Sequence, residues 1–326
     1  MRILALTFGN ETAASSLYRI YQYLIPLANL GIEITAIPAD RFDQWSSLGN
    51  YDVVLVQKKL FSSGRVRSLR KHSRRLVYDT DDAIWQPHGR PHHWFTRWRT
   101  DRRLASITGL ADGCMAANEV LATRLRRHAA RVDVIPMSLD ETVWRPRQRD
   151  VTSHLRIGWA GAPVNLRYLT AIEPSLLAVQ HLHPEVEIVI YCGEPPKFNA
   201  DLKVTHKPYS PGSEVATVQT FDIGLLPLPD NPFAHGKSPI KGLQYMACGA
   251  VTIASPLGAT REIFSGGKTA LFATSGEEWT NNLLRLINEP EMRRQMGHRA
   301  REHFAAHHSR SSVATSLAAL LRSYEK

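Results

Sequence analysis

The chain has 326 residues, 43% hydrophobic and 21% charged, enough for two domains with separate cores and too apolar for a disordered chain. No apolar run reaches the length of a membrane-spanning helix, and Cys114, Cys192 and Cys248 lack the paired spacing of a zinc or disulfide framework. The +10 charge is concentrated: residues 58–131 hold 17 Lys and Arg against 6 Asp and Glu, a balance of +11, which favours an anionic partner or forms a solvated Arg-rich face.

Residues 3–8 read as a first strand rather than a signal peptide, since too few apolar residues precede Gly9 and no small-residue cleavage site follows. A helical pattern over 14–30 ends at Gly31, and strands are expected at 31–37, 51–57, 75–79, 112–116 and 132–136. The polar, proline-containing stretch 145–154 reads as a linker. Strands then resume at 155–160, 186–191, 223–226 and 250–254. Strands alternating with helices imply two parallel, doubly wound α/β sheets in tandem, facing a cleft. The expected domains are 1–150 and 151–301, with a helical tail over 302–326 crossing back to the first. The aromatic and arginine-rich segment 92–103 reads as a partly buried amphipathic helix. A membrane-interface or nucleic-acid face is the alternative.

The densest chemical signal is Gly236-Lys237-Ser238-Pro239-Ile240-Lys241-Gly242-Leu243-Gln244-Tyr245-Met246-Ala247-Cys248-Gly249. It reads as a helix started by Gly236 and Ser238, with Pro239 in its first turn and Gly249 as its stop. Free N–H groups at a helix start suit a diphosphate. Lys237 and Lys241, four apart, would share one helix face beside it.

This segment resembles the nucleotide-sugar signature of the family-four retaining glycosyltransferases, which have the GT-B fold of two Rossmann-like domains. Ser255-Pro256-Leu257-Gly258 and Gly266-Gly267-Lys268-Thr269 continue the resemblance. So do Ile157-Gly158-Trp159-Ala160-Gly161, Tyr78-Asp79-Thr80-Asp81-Asp82 and Ile135-Pro136-Met137-Ser138-Leu139-Asp140. The resemblance implies transfer of a sugar from a nucleoside-diphosphate sugar to an acceptor, possible roles lying in cell-surface polysaccharide or glycolipid synthesis. It implies donor binding by Gly161, Arg167, Gly236, Lys237, Ser238, Lys241 and Gln244. Gly9, Asn10, Asp81 and Asp82 are expected at the reacting sugar, and Arg19 on the acceptor side. No covalent nucleophile, metal or cofactor is implied, and Asp79-Thr80-Asp81 is read as sugar-side rather than as a metal clamp. Of the first-domain histidines His88, His92 and His93, none matches a family position. Gly236 and Gln244 stand where many members carry two glutamates. The alternatives are therefore a non-catalytic sugar-nucleotide-binding partner subunit and, from the charge alone, a nucleic-acid-binding protein. The acceptor is expected to be anionic or held at an anionic surface, with the protein cytoplasmic or peripheral at the inner face of the membrane.

Overall fold

A computed structural model describes residues 1–87, 93–147, 154–198, 201–264 and 266–325. His88 and His92 therefore lie outside the described residues, as does most of the expected linker. The chain divides into two compact units: Met1–Ser138 with Asn231–Ser238 and Arg310–Lys326, and Leu139–Asp230 with Pro239–Ser309.

The elements of residues 1–138 are β1 (Arg2–Thr7), α1 (Ala14–Arg19), α2 (Leu24–Asn29), β2 (Glu33–Pro38), β3 (Val53–Gln57), α3 (Ser63–His72), β4 (Leu76–Thr80), α4 (Trp94–Leu110), β5 (Gly113–Ala116), α5 (Glu119–Leu125) and β6 (Val132–Val134). Then follow β7 (Arg156–Ala160), α6 (Leu166–Thr170), α7 (Glu173–Leu182), β8 (Glu187–Cys192), β9 (Thr205–Pro208), α8 (Ser213–Val218) and β10 (Ile223–Leu226). The chain ends with α9 (Pro232–His235), α10 (Ile240–Ala247), β11 (Val251–Ala254), α11 (Ala259–Ile263), β12 (Ala270–Phe272), α12 (Gly276–Asn288), α13 (Pro290–His307) and α14 (Arg310–Ser323).

Each unit holds one six-stranded parallel sheet, ordered β2-β1-β3-β4-β5-β6 in the first and β12-β11-β10-β7-β8-β9 in the second. Parallel sheets covered on both faces need continuous apolar strands, and β3 and β4 bury every residue. The order of the second sheet is that of a dinucleotide-binding fold, reversing between β7 and β10. The first has the flavodoxin-like order, reversing between β1 and β3. In open α/β sheets, ligands bind at the strand C-terminal ends beside such a reversal. Topology thus selects two places: the ends of β1 and β3 in one unit, and of β7 and β10 in the other.

The long helix expected over 14–30 is broken. Ile20 leaves helical geometry, a 3-10 turn spans Tyr21–Tyr23, and α2 restarts at Leu24. Pro26 explains the restart, because its missing N–H is tolerated only in a first helical turn. Residues 139–147 cluster with the second unit: Leu139 N–H donates to the His308 carbonyl, and Arg301 Nη1 donates to the Trp144 carbonyl at 2.9 Å. Helix α14 clusters with the first unit, where Val313, Leu317 and Leu321 join the core of Ile3, Leu27, Val53 and Val77. The segment at 93–103 forms the start of α4, but its aromatics are exposed and the buried side of the helix begins at Leu104.

Candidate functional site

In the first unit the reversal between β1 and β3 is stapled by Gln57. Its Oε1 accepts from Phe8 N–H at 3.1 Å and Ser16 Oγ at 2.9 Å, while its Nε2 donates to the Ser15 carbonyl at 3.0 Å. Gly9 follows β1, donates its N–H to Ser16 Oγ, and sits where a Cβ would lie 2.8 Å from the Ala13 Cβ. Glycine is needed there for this close approach. Asn10 is exposed, its Oδ1 accepting from Thr12 in a local turn.

Lys58 follows β3 with φ of 56°, the one non-glycine residue with positive φ among the described residues. This left-handed backbone costs a lysine on the order of 1 kcal/mol or more. It places Nζ 2.8 Å from Asp82 Oδ2 and 3.3 Å from Asp81 Oδ1. Ser15 Oγ donates to Asp81 at 2.7 Å. Burial alone would push the Lys58 pKa down, but the two carboxylates outweigh it and hold the ammonium above its ordinary value. For Asp81, burial pushes the pKa up, and Lys58, Ser15 and Arg19 offset only part of that. Asp81 is enclosed, whereas the Asp82 side chain keeps 30% of its surface in solvent. Asp82 is the carboxylate of this pair open to a ligand.

Arg19 does not face an acceptor as expected. It is buried, with Nε donating to Asp79 Oδ2 at 3.1 Å, Nη2 paired with Asp79 Oδ1, and Nη1 donating to the Ile135 carbonyl at 2.6 Å. Its guanidinium is committed to joining β4 to the segment after β6. Asp79 is correspondingly a structural partner.

The signature segment is divided. Residues 231–238 cluster with the first unit, where Asn118 Nδ2 donates to the Gly236 carbonyl at 3.3 Å and to Ser238 Oγ at 3.2 Å. Ser238 Oγ donates in turn to the Asp81 carbonyl at 3.0 Å. Gly236 fits against Ala83 and Leu121, and a Cβ would lie 2.7 Å from the Ala83 Cβ. The expected helix start is therefore corrected. Helix α10 begins at Ile240, Ser238 is a tether rather than a cap, and Lys237 precedes the helix, so it shares no helical face with Lys241. Gly249, at φ of 77°, does end the helix.

In the second unit, α10 is fixed across the β7/β10 reversal. The Tyr245 hydroxyl accepts from Ala160 N–H at 2.9 Å, and its ring fills the space where Gly224 on β10 lacks a side chain. The neighbouring Gln244 is 1% exposed, and its Oε1 has no hydrogen-bond partner. Leaving such an acceptor unmatched costs about 1–3 kcal/mol and calls for an explanation such as a ligand or water. Lys241 pairs with Glu214. Gly161 N–H donates to the Tyr191 carbonyl at 3.1 Å, and the Trp159 ring occupies the place of its missing Cβ. Its N–H is thus already used, and its glycine is required by packing. Arg167 is exposed, with its guanidinium over the Tyr168 ring. Tyr168 lines a cavity of about 190 Å³ with Pro227, Leu228, Ser255, Thr274 and Trp279, beyond the C-terminal ends of β10, β11 and β12. A larger cavity, about 770 Å³, lies at the opposite ends of β8 and β9 beside Glu187 and Thr205, away from the ends where such sheets bind ligands. Size does not outweigh position here.

The structure thus brings Gly9, Asp81, Asp82, Gly236 and Ser238 together in the first unit, and places Gly161, Arg167, Lys241 and Gln244 in the second. Sequence reasoning missed Gln57, Lys58, Asn118 and the anchoring role of Tyr245. The available signal for the first pair was their place as polar residues ending the buried run of β3. Among the described residues, no group of three or more His, Cys, Asp or Glu is disposed to hold a metal ion. Nor is any helix long and apolar enough to cross a membrane.

Residues 174–319 match a family model described as glycosyl transferase-like. A search among curated protein sequences finds no match. The chain resembles sucrose-phosphate synthase from Thermosynechococcus elongatus at a TM-score of 0.75 and 15% identity, covering 99% of this chain and 98% of that one. It resembles a glycosyltransferase from Rickettsia africae at a TM-score of 0.73 and 10% identity, over 100% and 98% of the two chains. HepE from Anabaena, in complex with UDP-glucose, is similar at a TM-score of 0.68 and 14% identity, over 99% and 100%. Residues 174–319 thus carry a glycosyl transferase-like domain, and the chain as a whole shares the fold of these structures, with one Rossmann-like sheet in each unit.

Proposed function

We propose that the protein moves a sugar from a nucleoside-diphosphate sugar to an acceptor, with retention of anomeric configuration and without a metal ion. The observation that carries this reading is the unmatched Gln244 Oε1, buried on α10 at the β7/β10 reversal. A carbonyl oxygen accepts hydrogen bonds, and a ribose hydroxyl is a fitting donor. The likeness to HepE, which was solved with UDP-glucose, supports the nucleotide-sugar class. Within the second unit, Gln244 would hold the ribose, and Lys241, on release from Glu214, would meet the diphosphate.

The first unit supplies the complementary chemistry. Lys58 and Arg19 balance two of the three carboxylates of Asp79, Asp81 and Asp82, which leaves one negative charge in excess. Asp82, the most exposed of them, suits a sugar on which positive charge develops as the diphosphate leaves. Lys58 fixes that carboxylate in place, and Gly9 lets the loop after β1 pack closely on Ala13. The acceptor is anionic or presented at an anionic membrane surface, as in cell-surface polysaccharide or glycolipid synthesis; the basic balance of residues 58–131 supports this reading.

A thermal-shift screen of UDP-, GDP-, ADP- and TDP-sugars tests donor binding by mass action. Release of nucleoside diphosphate with a retained product anomer, followed by NMR, tests transfer. A screen in which no nucleotide sugar raises the melting temperature would rule the reading out. One specific observation favours a second reading, a non-catalytic nucleotide-sugar-binding subunit. The wall of Ala83 and Leu121 leaves no room at position 236 for a glutamate side chain. Donor binding with no turnover in any acceptor mixture would select it.

A further inference from the structure

The first ten residues of α4, Trp94 to Arg103, bury no side chain, so about 15 Å of helix lies outside the core of its unit. Trp94 is 71% exposed, Trp98 50% and Phe95 49%. At about 100° per residue the three aromatics fall within roughly one quadrant, with Arg102 among them. Arg99 and Arg103 flank this face on one side and Arg97 on the other. Of the buried residues, Ile107 lies opposite this face, and Leu104 and Thr108 lie on the side of Arg97. The aromatics are organised: Phe95 stacks on Trp98 with ring centres 5.8 Å apart, and Arg102 lies 5.4 Å from the Trp98 ring. The acidic residue of this stretch, Asp101, is paired with Arg124 at 2.6 Å. Helix α3, which packs on α4, adds the exposed Arg65, Arg67 and Lys71.

We propose that this face docks on an anionic lipid bilayer, with the aromatic rings at the headgroup level and the arginines on lipid phosphates. Trp and Phe beside arginine on an exposed helix face have the chemistry of an interfacial helix. Each basic residue near such a surface adds attraction that falls off within a Debye length. Water is a poor neighbour for three contiguous aromatic rings, and the surrounding charge fits an anionic bilayer better than a neutral one. Because α4 links the end of β4 to the start of β5, it begins on the side of the sheet where the parallel strands end, the side of Asp81 and Asp82. Docking would bring that side to the membrane, where a lipid-linked acceptor presents its reacting group. The inference deepens the proposed reading of the acceptor and rests on it for that last step alone.

Flotation of the full chain with vesicles tests it, using phosphatidylcholine alone against equal parts phosphatidylcholine and phosphatidylglycerol. The chain is expected to float with the phosphatidylglycerol vesicles, less so at raised salt, and to stay behind with phosphatidylcholine alone. Trp94→Ala combined with Trp98→Ala, both at exposed sites, should abolish flotation. A second variant, Arg97→Gln with Arg99→Gln and Arg102→Gln, should weaken it about fivefold per arginine. Equal flotation of both variants and the parent would overturn the proposal, as would no capture by phosphatidylglycerol vesicles. Salt-sensitive binding of duplex DNA or aromatic-dependent self-association, without vesicle capture, would overturn it too. Donor binding measured on the same preparations separates the two readings. Retained donor binding without flotation sinks the docking alone, and flotation without donor binding sinks the transferase reading alone.

Discussion

At the β1/β3 reversal of the first unit, Arg19 and Lys58 are buried against Asp79, Asp81 and Asp82. At the β7/β10 reversal of the second, the aromatic Tyr245 is anchored to Ala160 and its neighbour Gln244 is left with an unmatched oxygen. The first site is held in place by its own charges, with one carboxylate in excess and Asp82 partly open, and Lys58 accepts a strained backbone to pair with two of the acids. The second site leaves one buried amide oxygen unmatched, which a ligand hydroxyl or a water would satisfy. A pre-organised charged centre stabilises charge that develops during reaction without rearranging. A buried acceptor awaiting a donor is suited to selecting a ligand. On the proposed reading, the two reversals of sheet order serve two different tasks.

The sharpest break of this contrast is Lys58→Met, which leaves Asp81 and Asp82 without their shared cation. Removing one partner of a buried pair costs about 3–5 kcal/mol, to be read in urea denaturation, and adding Asp81→Asn should recover part of the loss. The pH dependence follows from the shift directions. The Lys58 pKa is raised, so its stabilising contribution is whole through neutral pH and is lost only as pH rises through that raised value. The Asp81 pKa is also raised, so its ionisation opposes folding. In Lys58→Met, stability should therefore rise as acidification protonates Asp81, an effect that Asp81→Asn removes.

Next in size is Gly224→Ala. The new Cβ would lie 2.3 Å from the Tyr245 ring, and overpacking of this kind costs about 1–3 kcal/mol. Because Tyr245 carries α10, donor affinity should fall with stability. The smallest effect is the most discriminating. Gln244→Leu removes an unmatched buried oxygen, so the melting temperature should hold or rise, while donor affinity drops about tenfold through loss of one hydrogen bond. Falls in both quantities would mean that Gln244 is already satisfied within the fold.

Much of this was legible in the sequence. Buried parallel strands are continuous apolar runs, and β1, β3, β4, β7, β8, β10 and β11 lie within a residue or two of their expected places. The edge strand β9, Thr205–Pro208, carries no apolar run and is half-exposed, so nothing in its pattern marks it. Candidate positions such as Asp81, Asp82 and Gln244 were visible from the resemblance, but their partners were not. Lys58 and Ser15 lie 23 and 66 residues from Asp81 in sequence, and only the adjacency of β1, β3 and β4 joins them. Spacing also misplaced Lys237 beside Lys241, because it assumed one helix where Ser238 is tethered to Asp81 and α10 starts later. For the same reason Arg19 looked available for an acceptor, although its partner Asp79 lies 60 residues away in sequence.

Calorimetric titration of the best nucleotide sugar into the parent chain, Gln244→Leu and Lys58→Met, at a temperature where all three are folded, tests the division of labour most directly. The account predicts that Gln244→Leu loses about tenfold in donor affinity, while Lys58→Met binds the donor like the parent and loses transfer. Unchanged donor affinity in Gln244→Leu, or loss of donor binding in Lys58→Met at full transfer in Gln244→Leu, would contradict it.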